Sequence, residues 1–198
     1  MVKPKHLKHL AILASGTGSN ARRLIEYFRN RSDAGVALVV SNKAQAPVLD
    51  MARSQAVATQ VVDREEFEAG QPLLGLFERH TIQCVVLAGF LWKVPDYLVA
   101  AYDGRMVNIH PALLPDFGGR GMYGMHVHRA VKESGRDESG ITIHLVNDRY
   151  DEGQILYQAS CSLSPTDTPE EIARKVQQLE HRFYPPVVEQ LLTQIPNS

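Results

Sequence analysis

An open, doubly wound α/β sheet, mostly parallel and with helices on both faces, is the fold this sequence predicts. Three observations carry the prediction. Short continuous apolar runs recur through the first two-thirds of the chain, amphipathic segments separate them, and a glycine-bearing turn follows the first run. Parallel strands buried on both faces read as such runs, and helices must cross between them.

The elements follow in order. "LAILAS" (10–15) ends in "GTGSN" and enters "ARRLIEYFRN", whose apolar spacing is close to 3.6. "GVALVVSN" (35–42) and "APVLDMARSQ" repeat the pattern, and "ATQVVD" (58–63) precedes a long amphipathic segment over 64–80. "QCVVLAGF" (83–90), a short helix around "DYLVAAY" and "RMVNIH" (105–110) come next. Residues 111–124, "PALLPDFGGRGMYG", are rich in glycine and proline and read as a long functional loop. After the short helix "HVHRAVKESG", two strands, 140–148 and 154–163, are joined only by "RYDEG". So short a link predicts one antiparallel pair near the C-terminus. The closing helix has Thr168 as N-cap, Pro169 at its first position and Glu171 three residues past the cap.

Composition narrows the function. A chain of 198 residues that is 44% apolar suits one domain with a real core. The formal charge of −1 and scattered cations give no electrostatic reason to expect nucleic acid or a membrane as partner. The basic start "MVKPKHLKHL" leads straight into strand-like sequence, so no secretory signal is expected. The longest strictly apolar run, "VVLAGFLW", is too short to span a bilayer. Cys84 and Cys161 form no metal-type cluster, and a reduced cytoplasmic enzyme is the simplest reading. A homodimer is left open.

Four groups can carry chemistry. In "SGTGSN", Ser15 to Asn20, glycines let the backbone approach a ligand and the helix N-terminus favours an anion; the plain alternative is a tight turn capped by Ser19 or Asn20. Gly16, Gly18 and Ala21 match the loose dinucleotide pattern. Ser41, Asn42 and Lys43 stand where that pattern wants an acid, so a single phosphate fits better than NAD, with Lys43 leaving NADP as the weaker alternative. Asn108 and His110, two apart on a strand, project from one edge of the sheet and can meet an oxyanion or move a proton. Alternatively, His110 simply hydrogen-bonds the following loop. Asp148, Asp151 and Glu152 offer a carboxylate that would favour imidazolium if the fold brings one to His110, or else serve the turn. His126 and His128 with His110 could be counted as zinc ligands, but "HVHRAV" reads as helix, where positions two apart diverge. Phe90 and Trp92 are an aromatic ligand wall or core.

Together these stretches resemble one family over residues 8–193: the phosphoribosylglycinamide formyltransferases, folate-dependent enzymes of purine synthesis. The carriers are "SGTGSN", "SNKAQAPVLDMA", "VVLAGFLWKVP", "NIHPALLP", "GITIHLVNDRYDEGQILYQ" and "QQLEHRFYP". The resemblance implies a single formyltransferase domain over 1–198, with a nucleotide-binding half to about residue 105 and a folate and catalytic half beyond. It implies 10-formyltetrahydrofolate as co-substrate, glycinamide ribonucleotide as acceptor and no metal. The family's catalytic histidine falls on His110, its asparagine on Asn108 and its supporting aspartate on Asp151. The phosphate loop falls on Gly18, Ser19 and Asn20, with Gln177 and Glu180 added from the last helix. The pterin would sit against Leu91, Trp92, Lys93 and Val94, with Asn108 close by and the loop around 146–151 beside it, and Arg64 would meet the folate tail. Trp92 stands where the common form of the family carries a basic residue, and the loop after "LLP" is longer than usual. The implied chemistry is attack by the amine on the formyl carbon, with the oxyanion met by Asn108 and by a His110 that Asp151 holds protonated, and a bound water carrying protons. A formyltetrahydrofolate hydrolase and a formyltransferase acting on another amine are the alternatives. A tRNA-directed relative would need a basic C-terminal domain, and the hydrolase an extra N-terminal one. A non-catalytic folate- or nucleotide-binding module is the reading from a different class.

Overall fold

The computed structural model describes residues 7–196. "MVKPKH", on which the secretory-signal expectation partly rests, lies outside the described residues. The order of elements is β1 (Lys8–Leu13), α1 (Ser19–Phe28), β2 (Ala34–Ser41), α2 (Pro47–Ser54), β3 (Ala58–Val61), α3 (Arg64–Ala69), α4 (Gln71–Arg79), β4 (Ile82–Leu87), α5 (Asp96–Ala101), β5 (Met106–His110), α6 (Met125–Glu133), β6 (Glu138–Leu145), β7 (Ile155–Ser162) and α7 (Pro169–Gln194). The strands form one sheet of seven in the order β3-β2-β1-β4-β5-β6-β7. The first five run parallel.

Alternation along each strand divides the core. In β1, Leu10 and Ile12 join one cluster with Leu24 and Phe28 of α1, Val48 of α2, Val127 of α6 and Val188 of α7. Ala11 and Leu13 face the other way, toward Phe67 of α3, Phe77 of α4 and Leu98 of α5. Successive side chains of a strand point to opposite faces, so a continuous apolar run supplies both layers. Each large side chain fully removed from water contributes about 1.5–3 kcal/mol.

Two features depart from the sequence expectation. The segment 64–80 is two helices, not one, because Gly70 at φ 87° ends α3 and begins α4. A Cβ there would lie 3.3 Å from the Tyr97 ring, so the break is also a close packing point. The predicted antiparallel pair is β6 with β7, and β6 additionally runs antiparallel to β5, aligning Asn108 with His144.

The last helix ties the layers together. Its N-terminus carries the predicted capping box of Thr168 and Glu171. Tyr184, fully buried, donates from its hydroxyl to Leu87 O of β4 at 2.8 Å and Val107 O of β5 at 3.2 Å. At the far end Lys8 Nζ donates to Leu192 O and Ile195 O at 2.7 and 2.5 Å, adding a cation at the helix C-terminus, where Leu192 O also accepts from Ile195 N–H.

Candidate active site

The strand order reverses between β1 and β4, and in sheets of this kind a crevice opens beyond the carboxyl ends at that point. A cleft of about 790 Å³ occupies this place. Gly18, Ser19, Asn20, Leu91, Trp92, Lys93, Val94, Asn108, His110, Asp151, Gln177 and Glu180 all line it.

At one end lies the turn after β1. Gly18 is the N-cap of α1 in the left-handed conformation, φ 76°, and no side chain caps the helix. The reading of Ser19 or Asn20 as cap is therefore corrected: both are the first helical residues, and the leading N–H groups point out of the helix without a side-chain acceptor. A Cβ on Gly18 would fall 2.3 Å from Val48 Cγ2, so α1 packs against α2 through the bare backbone. The last helix completes this end. Gln177 Nε2 is 3.4 Å from Ser19 Oγ, and Asn20 Nδ2 donates to Glu180 Oε2 at 2.9 Å. Burial raises the Glu180 carboxyl, and the Asn20 amide opposes this. Asn20 Oδ1 is buried with no partner, so the turn offers an acceptor as well as donors.

The strip after β4 forms one wall. Ser15 anchors it: Leu91 N–H donates to Ser15 Oγ at 3.0 Å, and that hydroxyl donates to Asn42 Oδ1 at 2.7 Å. Three strand ends are thereby clasped by one buried hydroxyl. Phe90 and Trp92 serve both readings given them, lining the cleft while packing on Phe67 at 5.3 and 5.4 Å between ring centroids. Of the residues that the resemblance assigns to substrates and chemistry by number, Arg64 lies outside the lining set; its guanidinium carbon stands 4.5 Å from the Trp92 ring centroid, and it pairs with Glu68.

The polar cluster fills the other end. His110 is 3% exposed, with Nδ1 at 3.5 Å from Asp151 Oδ2 and Nε2 at 2.8 Å from the Phe117 carbonyl. A carbonyl only accepts, so Nε2 carries a hydrogen and Nδ1 is the nitrogen that gains and loses the proton. Burial draws the His110 pKa below its ordinary value, while Asp151 and the Phe117 carbonyl pull it up and His144 adds to the lowering. The expectation that Asp151 holds this ring protonated thus meets an opposing, larger desolvation. Burial would raise Asp151, yet contacts from His144, His110 and the Gly119 N–H (2.9 Å) together bring its carboxyl below the ordinary value. Both residues that touch the His110 nitrogens, Phe117 and Asp151, sit at φ 56°. Such backbone costs about 1–3 kcal/mol and persists only where its surroundings over-determine it. Asp148 is exposed and does not line the cleft.

His144 was not singled out by the sequence. It is almost fully buried on β6, with Nε2 at 3.2 Å from Asn108 Nδ2 and 3.6 Å from Asp151 Oδ1, and Nδ1 at 2.9 Å from Leu145 O. The signal available was a histidine inside an apolar strand, "ITIHL", with Thr142 two residues earlier. Thr142 Oγ1 donates to Ala112 O and accepts from Leu114 N–H, which fixes the chain as it leaves His110 through the prolines. His126 and His128 diverge as expected of a helix: His128 is buried against the cleft and His126 is exposed.

The arrangement offers an anion cradle, an aromatic and backbone wall, and an amide–imidazole–carboxylate group within one crevice. A family model described as formyl transferase matches residues 8–188. Phosphoribosylglycinamide formyltransferase, chloroplastic, from Arabidopsis thaliana is 43% identical over 187 residues, covering 91% of this chain and 64% of that protein. The chain thus spans just under two thirds of that relative. Phosphoribosylglycinamide formyltransferase from Bacillus subtilis is 33% identical, with 94% and 95% covered. The crystal structure of phosphoribosylglycinamide formyltransferase from Streptococcus pneumoniae superimposes with a TM-score of 0.82 at 35% identity, covering 93% of this chain and 99% of that one.

Proposed function

The chain belongs to the formyl transferase family, and from that premise we propose that it moves the formyl group of 10-formyltetrahydrofolate onto the amine of glycinamide ribonucleotide. The observation that carries the reading is a single crevice with an anion-binding turn at Gly18–Asn20 and the Asn108–His110–Asp151 group beyond it. A cleft of about 790 Å³ is of a size to hold both substrates.

In this reading the phosphate rests on the amides of Gly18 to Asn20, with the ribose toward Gln177 and Glu180. The orphaned Asn20 Oδ1 is free to accept a hydroxyl. Leu91 to Val94 take the pterin, and Trp92, backed by Arg64, flanks the remainder of the folate. The N-terminal half then mainly serves the nucleotide, and the C-terminal half supplies the catalytic group.

The amine lone pair attacks the formyl carbon, and the carbonyl π pair moves onto oxygen. Asn108 Nδ2 and the His110 imidazole face that developing oxyanion. The new negative charge adds to that of Asp151 and offsets the desolvation of the imidazolium, so His110 becomes protonated as the intermediate forms. The attacking nitrogen gives up its proton, and the departing folate nitrogen receives one, passed through Nδ1 or a water beside it. The carbon–nitrogen bond to the folate breaks and the formyl group stays on the acceptor. The phosphate, held away from the reacting atoms, supplies binding energy that orients the amine. No step requires a metal.

The test is a formyl-transfer assay with glycinamide ribonucleotide as acceptor, run beside water, an amino sugar and methionyl-tRNA. Loss of formyl-folate that depends on the ribonucleotide is expected. A rate equal with and without it, or one that follows another acceptor, overturns the reading.

A further inference from the structure

Arg136 lies between α6 and β6, outside the residues that line the cleft. Its Nη2 pairs with Asp116 Oδ2 at 2.6 Å, and its guanidinium carbon stands 5.6 Å from the centroid of the Phe117 ring. Those two neighbours belong to the loop that leaves β5, and the Phe117 carbonyl is the group on His110 Nε2. Phe117 occupies the left-handed region at φ 56°. A side chain there is held by its surroundings and not by its own preference. The chain packs closely at the following residue, where a Cβ on Gly118 would fall 2.5 Å from Leu114 Cδ2 and 3.4 Å from Asp151 Cβ. Beside the packing of Phe117 on the core and the bond from Asp116 N–H to Leu113 O, Arg136 holds this stretch from outside, pairing with Asp116 by charge and standing over the Phe117 ring.

We propose that Arg136 is a positioning residue for the reaction: it clamps Asp116 and Phe117 so that the Phe117 carbonyl stays on Nε2 of His110, leaving Nδ1 as the nitrogen that exchanges protons. Only arginine supplies both parts of the clamp, because its guanidinium pairs with a carboxylate and stacks on a ring at once. Lysine supplies the charge without the plane. The ion pair is half exposed on both sides, so it adds little to global stability. Its effect is expected at His110 instead. The other titratable groups facing that ring are Asp151, His144 of β6 and His128 of α6. Arg136 touches none of them, and because Gly119 N–H of the same loop also holds Asp151, the tautomer at Nε2 is the readout specific to the carbonyl.

The experiment follows the His110 imidazole by nitrogen-15 NMR through a pH titration of the protein, with kinetics alongside. In the parent, the neutral ring should carry its hydrogen on Nε2. In Arg136→Ala, the two neutral tautomers should mix and the pKa should fall further, since the carbonyl favours the charged ring. Turnover should drop about tenfold, as a small misplacement near the reacting atoms does, with both KM values within about twofold. Arg136→Lys should fall between the two. An unchanged tautomer and pKa in Arg136→Ala overturns the proposal, and so does a lowered Tm or raised KM with the ring signals unmoved. Should Arg136→Ala fail to fold, Arg136→Lys and Asp116→Asn carry the same readout. The kinetic arm rests on the formyl-transfer reading. If the parent transfers no formyl group that reading fails, and the NMR titration still decides the role of Arg136.

Discussion

Asp151 carries more than its charge. At φ 56° it holds a backbone conformation unusual for a residue with a side chain, and its carboxylate accepts from Gly119 N–H while facing His110 and His144. Asp151→Asn keeps the size and removes the charge. The amide would no longer favour the imidazolium that the oxyanion requires. Turnover should fall about 10²-fold or more, with the KM for the ribonucleotide little changed. Steady-state kinetics across pH check this, and near-normal turnover with an unaltered pH profile removes Asp151 from the mechanism. The residue scale is also where the sequence was most and least informative. Asn108 and His110 stood out because two polar residues closed an apolar strand at the end where ligands bind. Asp151 could be paired with His110 only by family resemblance, because no spacing brings residues so far apart together. His144 went unnoticed because its neighbour Asn108 is on another strand, and cross-strand register is set by the sheet.

At the scale of elements, the turn between β1 and α1 is the proposed seat of the phosphate, and its geometry depends on one missing methyl. Gly18→Ala adds a Cβ 2.3 Å from Val48 Cγ2 and 2.7 Å from its Cβ, at φ 76°. The left-handed conformation alone costs an L-residue about 1–2 kcal/mol. The overlap then forces α1 away from α2, displacing the amides at the helix start. The KM for the ribonucleotide should rise about tenfold or more and that for the folate stay near its parental value, with a lower Tm. Equal KM values in variant and parent would mean that the turn does not hold the phosphate. Elements were largely legible because their signals are local: apolar runs for β1 to β5, and the box of Thr168 and Glu171 for α7. Gly70 shows the limit. A glycine inside an amphipathic segment is tolerated in many helices, but Pro72, in the first turn of α4, is a local signal of the break, which the packing of Tyr97 against Gly70 completes. The antiparallel pairing of β6 with β5 was hidden likewise, since a helix between strands usually signals a parallel crossover.

For the whole molecule, the buried histidines that line the cleft make acid stability a property of the site. Burial, reinforced by His110, lowers His128 from 6.5 to about 4, and burial lowers His110 as well. The unfolded chain therefore binds more protons than the native one below pH 6.5, and stability rises with pH in that range. His128 makes no demand on stability above its unfolded value and an increasing one as pH falls toward about 4, amounting to about 3 kcal/mol at the acid end. Asp151 acts in the same direction at lower pH: its depressed carboxyl stabilises the fold above the ordinary value of 3.8, and that contribution is lost as pH falls through the native value. Glu180, raised by burial, opposes them, since protonation relieves its desolvation. His110, His128 and Asp151 all act toward acid lability, and His128 is the one of them outside the proposed catalytic group. His128→Asn removes the titration while leaving a polar side chain. Unfolding free energies from denaturant titrations at pH 7, 5.5 and 4 should fall more steeply in the parent than in the variant, the gap widening to about 3 kcal/mol. Parallel curves would mean that His128 is not held neutral by burial. The acid lability would then have to come from His110 and Asp151 themselves.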